Sequence, residues 1–188
     1  MDRPVPVRAP YPGALAEHFA RLVPAAMEPP ALFRAVARNE GLFNHLVDSG
    51  WLGPTGLMDR RALPRRLREL LILRTCFANG NVYEWRLHVG TISARMGLGE
   101  SEIADTWSAT TDPAQWTAAE LAAMAMVDSL VQERCLPDAL YARLRDHYDE
   151  ATLIEMTQLV GLYTGVAMLV ALLQPPADAY AAPLPTGK

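Results

Sequence analysis

Apolar residues recur every three to four positions along most of the chain, which is the spacing of helices with one buried face. Capping residues punctuate this pattern: Thr117 and Glu120 form a capping box, and Gly97 follows a helix end. Strand-like alternation is almost missing. The pattern therefore predicts an all-α fold, with helices at 13–27, 31–49, 64–78, 81–96, 100–107, 117–135, 137–148 and 151–174.

The predicted helices lie between two proline-rich ends. A chain of 188 residues can bury a core without needing a disulfide or a metal ion. We predict an extended N-terminal arm at 1–12, a single all-α domain at 13–174, and a linker-like C-terminal tail at 175–188 without core content.

The helix predicted at 64–78 is apolar on every face, yet it contains Glu69. Its neighbours one turn further on, Ile72 and Leu73, are apolar, so the carboxylate leaves the helix from an apolar face. A buried carboxylate needs a partner or a function. The structural alternative is a salt bridge to an arginine of the same helix, Arg65, Arg66 or Arg74.

The next predicted helix carries an acid and a base on one face. Asn81, Glu84 and His88 fall within about 60° of one another at 3.6 residues per turn, beside an apolar stripe. Imidazole titrates near neutral pH, and burial tunes a carboxylate toward the same range, so such a pair can move protons. The structural alternative is an i, i+4 contact on the surface.

These residues carry a family resemblance. The run at 63–74 reads LPRRLRELLILR, and with Tyr83, Glu84, Trp85 and His88 it resembles the core motif of the carboxymuconolactone decarboxylase and alkylhydroperoxidase D-like superfamily. The resemblance extends from about residue 30 to residue 175. It implies an alkylhydroperoxidase D-like helical bundle, a pocket between packed helices near subunit contacts, and a trimeric or hexameric assembly.

The peroxidase branch of that superfamily has a Glu, a CxxC pair whose first Cys follows twelve residues later, and a His four residues after the second Cys. Glu69 and His88 match the Glu and the His, but Asn81 and Glu84 stand at the two cysteine positions. The decarboxylase branch commonly has Glu at the second position. The resemblance therefore favours proton chemistry over thiol chemistry.

The resemblance implies a cofactor-free acid/base enzyme, a decarboxylase or related lyase or isomerase acting on a small carbonyl or lactone carboxylic acid. His88 would transfer a proton to or from carbon, Glu84 would orient the imidazole or act as an acid, and Glu69 would complete the polar cluster.

Three further residues are candidates for binding the substrate. Arg74 would hold a carboxylate or carbonyl oxygen, because a guanidinium has the matching geometry. Asn81 and Tyr83 flank Glu84 in the chain and are the other two candidates, although Tyr83 points about 100° away from Glu84 on a helix. For Tyr83 the alternative is packing against a neighbouring element.

Two other functions remain open. A thiol peroxidase would need Cys76 as a displaced peroxidatic cysteine, whereas Cys76 and Cys135 both read as small core residues. A non-catalytic oligomeric binding protein would use Glu69, Glu84 and His88 only as a structural network. The cysteines and histidines lack the spacing of a zinc site, so we expect no metal.

The formal charge is −4 and the pI is about 5.6, so we expect no nucleic-acid partner. A local basic cluster is formed by Arg60, Arg61, Arg65, Arg66 and Arg68. These arginines either lie on a solvated or subunit-paired face or bind a substrate carboxylate. No secretory signal is evident at 1–12, and with few cysteines this favours a cytoplasmic protein.

The segment at 159–173 is strongly apolar but shorter than the roughly 20 residues of a membrane-spanning helix. We therefore expect no membrane partner and interpret the segment as a core or subunit-contact helix. Gly161 and Gly165 would allow another helix to approach closely. The apolar surface of this helix predicts a homo-oligomer. The small-molecule substrate is the partner that the resemblance implies.

Overall fold

The computed structural model describes residues 3–52 and 62–184. No strand is present in these residues, which confirms the predicted all-α fold. Short 3₁₀ turns occupy Ser93–Met96 and Pro113–Gln115. The helices are α1 (Gly13–Leu22), α2 (Ala31–Val36), α3 (Glu40–Asp48), α4 (Arg65–Ala78), α5 (Val82–Thr91), α6 (Glu100–Thr106), α7 (Ala118–Gln132), α8 (Asp138–Arg145) and α9 (Glu150–Leu173).

The chain divides into two compact units. The first unit comprises Met1–Arg60 and Met168–Asp178, and the second comprises Arg61–Ala167 and Ala179–Lys188. The candidate catalytic residues all belong to the second unit. The single domain expected at 13–174 stays a prediction.

In the first unit, the helix predicted at 31–49 is two helices. Asn39 interrupts it, because its side-chain Oδ1 accepts a hydrogen bond from the backbone N–H of Leu42 and so caps a new helix, α3. The helices α1 and α3 pack through Phe19 and Phe43, whose ring centroids are 5.1 Å apart. The backbone N–H of Ala31 donates to the buried carboxylate of Asp178.

The second unit is built around α4. Every residue of this helix from Leu67 to Cys76 is buried, as its apolar pattern predicts, and its most extensive packing is against α7. The side chains of Leu70, Leu71 and Leu73 are inaccessible to solvent. A polar side chain in the buried stretch from Leu67 to Cys76 therefore has little access to water and needs a partner within the protein.

The helix α5 is shorter than predicted. It begins after Asn81, whose Oδ1 accepts from the backbone N–H of Glu84, and it ends at Thr91 rather than at residue 96. Ile92 leaves the helical conformation at φ −126° and ψ −48°, and the chain tightens into a 3₁₀ turn. Gly97 then adopts a left-handed conformation at φ 92°. This break gives Ser93 an orientation that a continuous helix would not allow.

The C-terminal segment is not a linker without core content, contrary to our prediction. Residues 179–182, called here the C-terminal strap, bind along α5: the N–H of Ala182 donates to the carbonyl of Arg86 at 2.9 Å. The Arg86 side chain donates in turn to the Ala182 carbonyl at 2.5 Å. The strap fits because Gly90 lacks a side chain, since a Cβ there would collide with the carbonyl oxygen of Tyr180. The segment is held through its backbone N–H and C=O groups. Every residue type carries a backbone C=O, so composition does not predict this binding.

The helix α9 is long and apolar enough to cross a membrane by length and composition, with a mean hydropathy of 1.8. Only 33% of that apolar window is buried within the chain. The absence of a membrane partner stays a prediction. A Cβ placed at Gly161 or Gly165 would have no neighbour within 4 Å.

We predict that Gly90→Ala destabilises the chain by about 1–3 kcal/mol, because the new methyl group would meet backbone atoms of the strap that have no room to yield. Gly13→Ala is the matched control, since a Cβ there has no neighbour within 4 Å, and it should leave stability unchanged or raise it by up to about 1 kcal/mol. Thermal unfolding measures both. Equal stability of the two variants would contradict the fit at Gly90.

Candidate active site

The helices α4 and α5 bring the candidate acid/base residues together. Trp85 anchors α5, because its buried indole N–H donates to Oγ1 of Thr106 at 3.0 Å. With this contact in place, Glu84 and His88 of α5 are buried in the second unit together with Glu69 of α4. The structure therefore brings together the three residues predicted as catalytic.

Glu69 holds one side of the imidazole ring. Nδ1 of His88 lies 3.0 Å from Oε1 and 3.2 Å from Oε2 of Glu69, and both side chains are buried. Ser93 donates its hydroxyl hydrogen to Oε1 of the same carboxylate at 2.7 Å. The hydrogen-bond partners of Glu69 in these contacts are thus a histidine and a serine. They are not Arg65, Arg66 or Arg74, the arginines of the structural alternative.

The other ring nitrogen faces two groups. Nε2 of His88 lies 3.2 Å from the hydroxyl oxygen of Tyr163 and 3.5 Å from Oε1 of Glu84. Tyr163 comes from α9, is 1% exposed, and meets the imidazole edge to face. Sequence reasoning did not single out Tyr163, because it lies in an apolar run that reads as core. The polar hydroxyl group of a tyrosine within that apolar run is the feature of the sequence that could have indicated its role.

The electrostatics of the cluster favour an ion pair. Burial alone would lower the pKa of His88, but the charges of Glu69 and Glu84 and their hydrogen bonds outweigh it and raise the pKa to about 10. Burial would raise the pKa of Glu69, yet the His88 charge and hydrogen bond, with help from Ser93 and Arg68, lower it. At neutral pH the pair is an imidazolium bound to a carboxylate.

Two buried polar atoms lie at the start of α5. Nδ2 of Asn81 and Oε2 of Glu84 have no hydrogen-bond partner among the residues that the structure describes, 3–52 and 62–184. Their side chains are nevertheless engaged through their other atoms, Oδ1 of Asn81 with the backbone and Oε1 of Glu84 near His88. The two side chains that carry the unpartnered donor and acceptor are therefore held in place by their other polar atoms.

The comparison with known families identifies this arrangement. Residues 54–129 match the model of the carboxymuconolactone decarboxylase family, and this stretch contains α4, α5 and three of the cluster residues, Glu69, Glu84 and His88. This match covers part of the chain and supports the superfamily that the sequence resembles. No curated protein sequence is significantly similar to the chain.

Solved structures show the fold of this carboxymuconolactone decarboxylase relative. A cysteine-to-alanine variant of the debrominase Bmp8 in complex with 2,3,4-tribromopyrrole has a TM-score of 0.75 at 16% identity, over 96% of this chain and 94% of that one. Apo Bmp8 has a TM-score of 0.69 at 17% identity, over 94% and 92%. A protein of unknown function from Agrobacterium tumefaciens, named as an AhpD antioxidant defence protein, has a TM-score of 0.58 at 21% identity, over 77% and 91%.

The three candidate substrate-binding residues lie in different surroundings. Asn81 adjoins the cluster through its hydrogen bond to Glu84, whereas Tyr83 is half-buried on α5. The guanidinium of Arg74 forms a bidentate pair with Asp128 at 2.7 and 2.6 Å and donates to the carbonyl of Ser108. The structure therefore gives Arg74 a structural partner and does not bring it to His88.

The basic cluster is partly structural. Arg66 binds Glu102 and Glu120 at 2.5 and 2.7 Å, and these carboxylates raise its pKa. Arg68 is buried, and its charge lowers the pKa of Glu69. Arg60 and Arg61, which form the N-terminal part of the predicted cluster, lie outside the described residues.

The two cysteines differ in burial, and the prediction of a core position is wrong for Cys135, which is exposed. Cys76 is buried on α4, where burial and the charges of Glu84 and Glu69 raise the pKa of its thiol well above the usual value, while Cys135 is exposed. A thiol with a raised pKa is a poor nucleophile, because the thiolate is the reactive form. In the described part of the chain, no group of three or more histidine, cysteine or acidic side chains is placed to hold a metal ion.

We predict that the His88 imidazolium stabilises the fold fully below pH about 6.5 and that this contribution is lost as the pH rises toward about 10. The sign follows because the folded pKa lies above the unfolded value. Glu69 has a lowered pKa, so its contribution is lost only on the acid side. Urea unfolding at several pH values measures the effect.

The control for this prediction is the double variant Glu69→Gln with His88→Gln, which keeps the side-chain sizes similar but removes both charges. The difference in free energy of unfolding between the native chain and this variant should shrink over the alkaline range. A difference that stays constant from pH about 6 to about 10 would mean that His88 does not hold its proton in the folded chain.

Proposed function

We propose that this chain is an acid/base enzyme that acts, without a cofactor, on a small carbonyl or lactone carboxylic acid. The observation that carries the proposal is the buried imidazole between two carboxylates, with Glu84 and Asn81 at the positions where the peroxidase branch has its cysteines. A buried charged cluster costs free energy, and functional sites are where such clusters concentrate.

In this proposal His88 acts as the proton donor. Glu69 binds Nδ1, so the proposal assigns the proton transfer to Nε2, which faces the Tyr163 hydroxyl and Glu84 and which a substrate would reach in their place. Because its pKa is raised to about 10, the ring carries the proton to be given at neutral pH. Glu69 is thus the residue that orients the ring, a role that sequence reasoning assigned to Glu84.

The chemistry needs a group that stabilises an enolate-like oxygen. Arg74 is bound to Asp128 and does not serve, whereas the unpartnered amide N–H of Asn81 is a suitable donor. In a decarboxylation, the bond from carbon to the carboxylate breaks, carbon dioxide leaves, and the electron pair passes into the enolate. His88 then gives its Nε2 proton to that carbon and regains one from water.

The raised pKa of His88 favours reactions in which the ring only gives a proton over reactions in which it must first remove one. In decarboxylation the ring only protonates the carbon that carbon dioxide has left, whereas isomerisation would need Glu84 to take the first proton. A thiol peroxidase is disfavoured, because the pKa of the buried Cys76 is raised and Cys135 is distant in sequence and exposed.

The experiment uses a panel of small β-keto acids and unsaturated lactone acids in deuterium oxide. Proton NMR follows both loss of the carboxyl group and incorporation of deuterium at carbon. His88→Gln should lower the rate by a factor of about 10² to 10⁴, which is typical for a positioned acid or base. Deuterium incorporation that is equal for the native chain and this variant would refute the proposal.

A variant with both Cys76→Ala and Cys135→Ala should retain turnover, because neither thiol has a part in the proposed chemistry. Circular dichroism checks that the cavity left at the buried Cys76 has not unfolded the chain. If this folded variant lost all activity while His88→Gln kept it, thiol chemistry would be the correct assignment.

We also propose that the enzyme is a cytoplasmic homo-oligomer, with a trimer or hexamer expected by analogy with the superfamily. Ile154 of α9 is 71% exposed and, with Gly161, lines a surface cleft of about 510 Å³ in the second unit. Large exposed apolar groups mark interfaces. Light scattering at micromolar concentration should give a multiple of 20.6 kDa for the native chain, and Ile154→Glu should lower it. A mass of one chain would refute the assembly.

A further inference from the structure

The start of α5 presents one unpartnered donor and one unpartnered acceptor. Nδ2 of Asn81 can only donate, and Oε2 of Glu84 accepts as a carboxylate oxygen. Asn81 is 4% exposed and Glu84 is 3% exposed, and neither atom has a protein partner within the described residues 3–52 and 62–184. A buried polar atom left without a hydrogen bond costs about 1–3 kcal/mol.

Both atoms are held in place by the partners of their own side chains. The cap bond from the Glu84 N–H to Oδ1 of Asn81, at 3.2 Å, fixes the amide plane and so the direction of Nδ2. Oε1 of Glu84 lies 3.5 Å from Nε2 of His88, which fixes the carboxylate. A donor on the N-cap residue and an acceptor three residues later are thus both held by the fold, and the carboxylate that carries the acceptor lies beside Nε2 of His88.

The surrounding charges restrict what this pair can bind. Glu69 and Glu84 place two carboxylates around the single imidazolium of His88, and the nearby cation Arg68 acts on Glu69. A ligand carboxylate against Oε2 of Glu84 would add a third negative charge to a buried site, with no hydrogen to share. A ligand group that carries a hydrogen-bond donor and no charge avoids both penalties.

We infer that Asn81 and Glu84 together recognise an uncharged hydroxycarbonyl group of the ligand. The carbonyl oxygen accepts from Nδ2 of Asn81, and a hydroxyl on the neighbouring carbon donates to Oε2 of Glu84. This inference rests on the proposed function, because it takes the ligand to be the carbonyl compound of that site. It adds that the carboxylate of the substrate lies away from Glu84.

The test compares two uncharged lactones of the same ring size, α-hydroxy-γ-butyrolactone and γ-butyrolactone, by ligand-observed NMR titration of the full chain. The hydroxylated lactone should bind at least about tenfold more tightly, because the other leaves the Glu84 oxygen unpaired. 2-Hydroxybutyrate, in which a carboxylate replaces the lactone carbonyl, should bind more weakly than the hydroxylated lactone.

The diagnostic variant is Asn81→Asp. Aspartate caps a helix as well as asparagine does, but its second oxygen cannot donate to the lactone carbonyl. Because both lactones carry that carbonyl, both should bind about tenfold or more weakly to this variant. Asn39→Asp is the matched control, because Asn39 caps α3 through the same type of bond. It should leave the binding of both lactones unchanged.

Each outcome decides the inference. Equal binding of the two lactones to the native chain, no binding of either, or affinities that stay unchanged in Asn81→Asp would overturn it and would mean that water satisfies the pair. Binding does not depend on turnover. A clear preference in a chain that turns over none of the panel compounds would therefore retain the inference and refute the proposed function.

Discussion

The ion pair between Glu69 and His88 is the interaction on which the rest of the site depends. A carboxylate inside α4 would be costly without a partner, and the imidazole on α5 provides one at 3.0 Å. The pairing fixes how α5 rotates against α4, which in turn fixes the direction of Glu84. Ser93 and Tyr163 then complete the shell on either side of the ring. The acid/base group is therefore also a structural contact between helices.

The sequence was informative where periodicity and residue type agree. A helix that is apolar on every side must be buried, so a carboxylate inside it had to be partnered, and the i, i+4 spacing of Glu84 and His88 placed both on one face. These features predicted the all-α fold and the contact between Glu69, Glu84 and His88. The division of labour between the two carboxylates was not predictable, because it depends on which ring nitrogen each one meets.

Other features depend on contacts between distant segments. Tyr163 reads as an ordinary core residue, and only the packing of α9 turns its hydroxyl toward His88. Arg74 has the chemistry to bind a substrate anion, but its guanidinium is already paired with the carboxylate of Asp128 on α7. The early end of α5 at Thr91 follows Gly90, but a single glycine inside an apolar helical pattern does not by itself predict a helix end. Tertiary packing decided each of these, and one-dimensional patterns do not encode it.

The order of the site along the chain has a consequence for its assembly. Glu69 and His88 are 19 residues apart, whereas Tyr163 follows His88 by 75 residues and Ala182 follows Arg86 by 96. Closing a short loop costs less entropy than closing a long one, so the ion pair is the part that local folding favours. During synthesis, α4 and α5 leave the ribosome long before the phenol and the strap that enclose them. The nascent chain therefore holds a water-accessible ion pair until its last segments arrive.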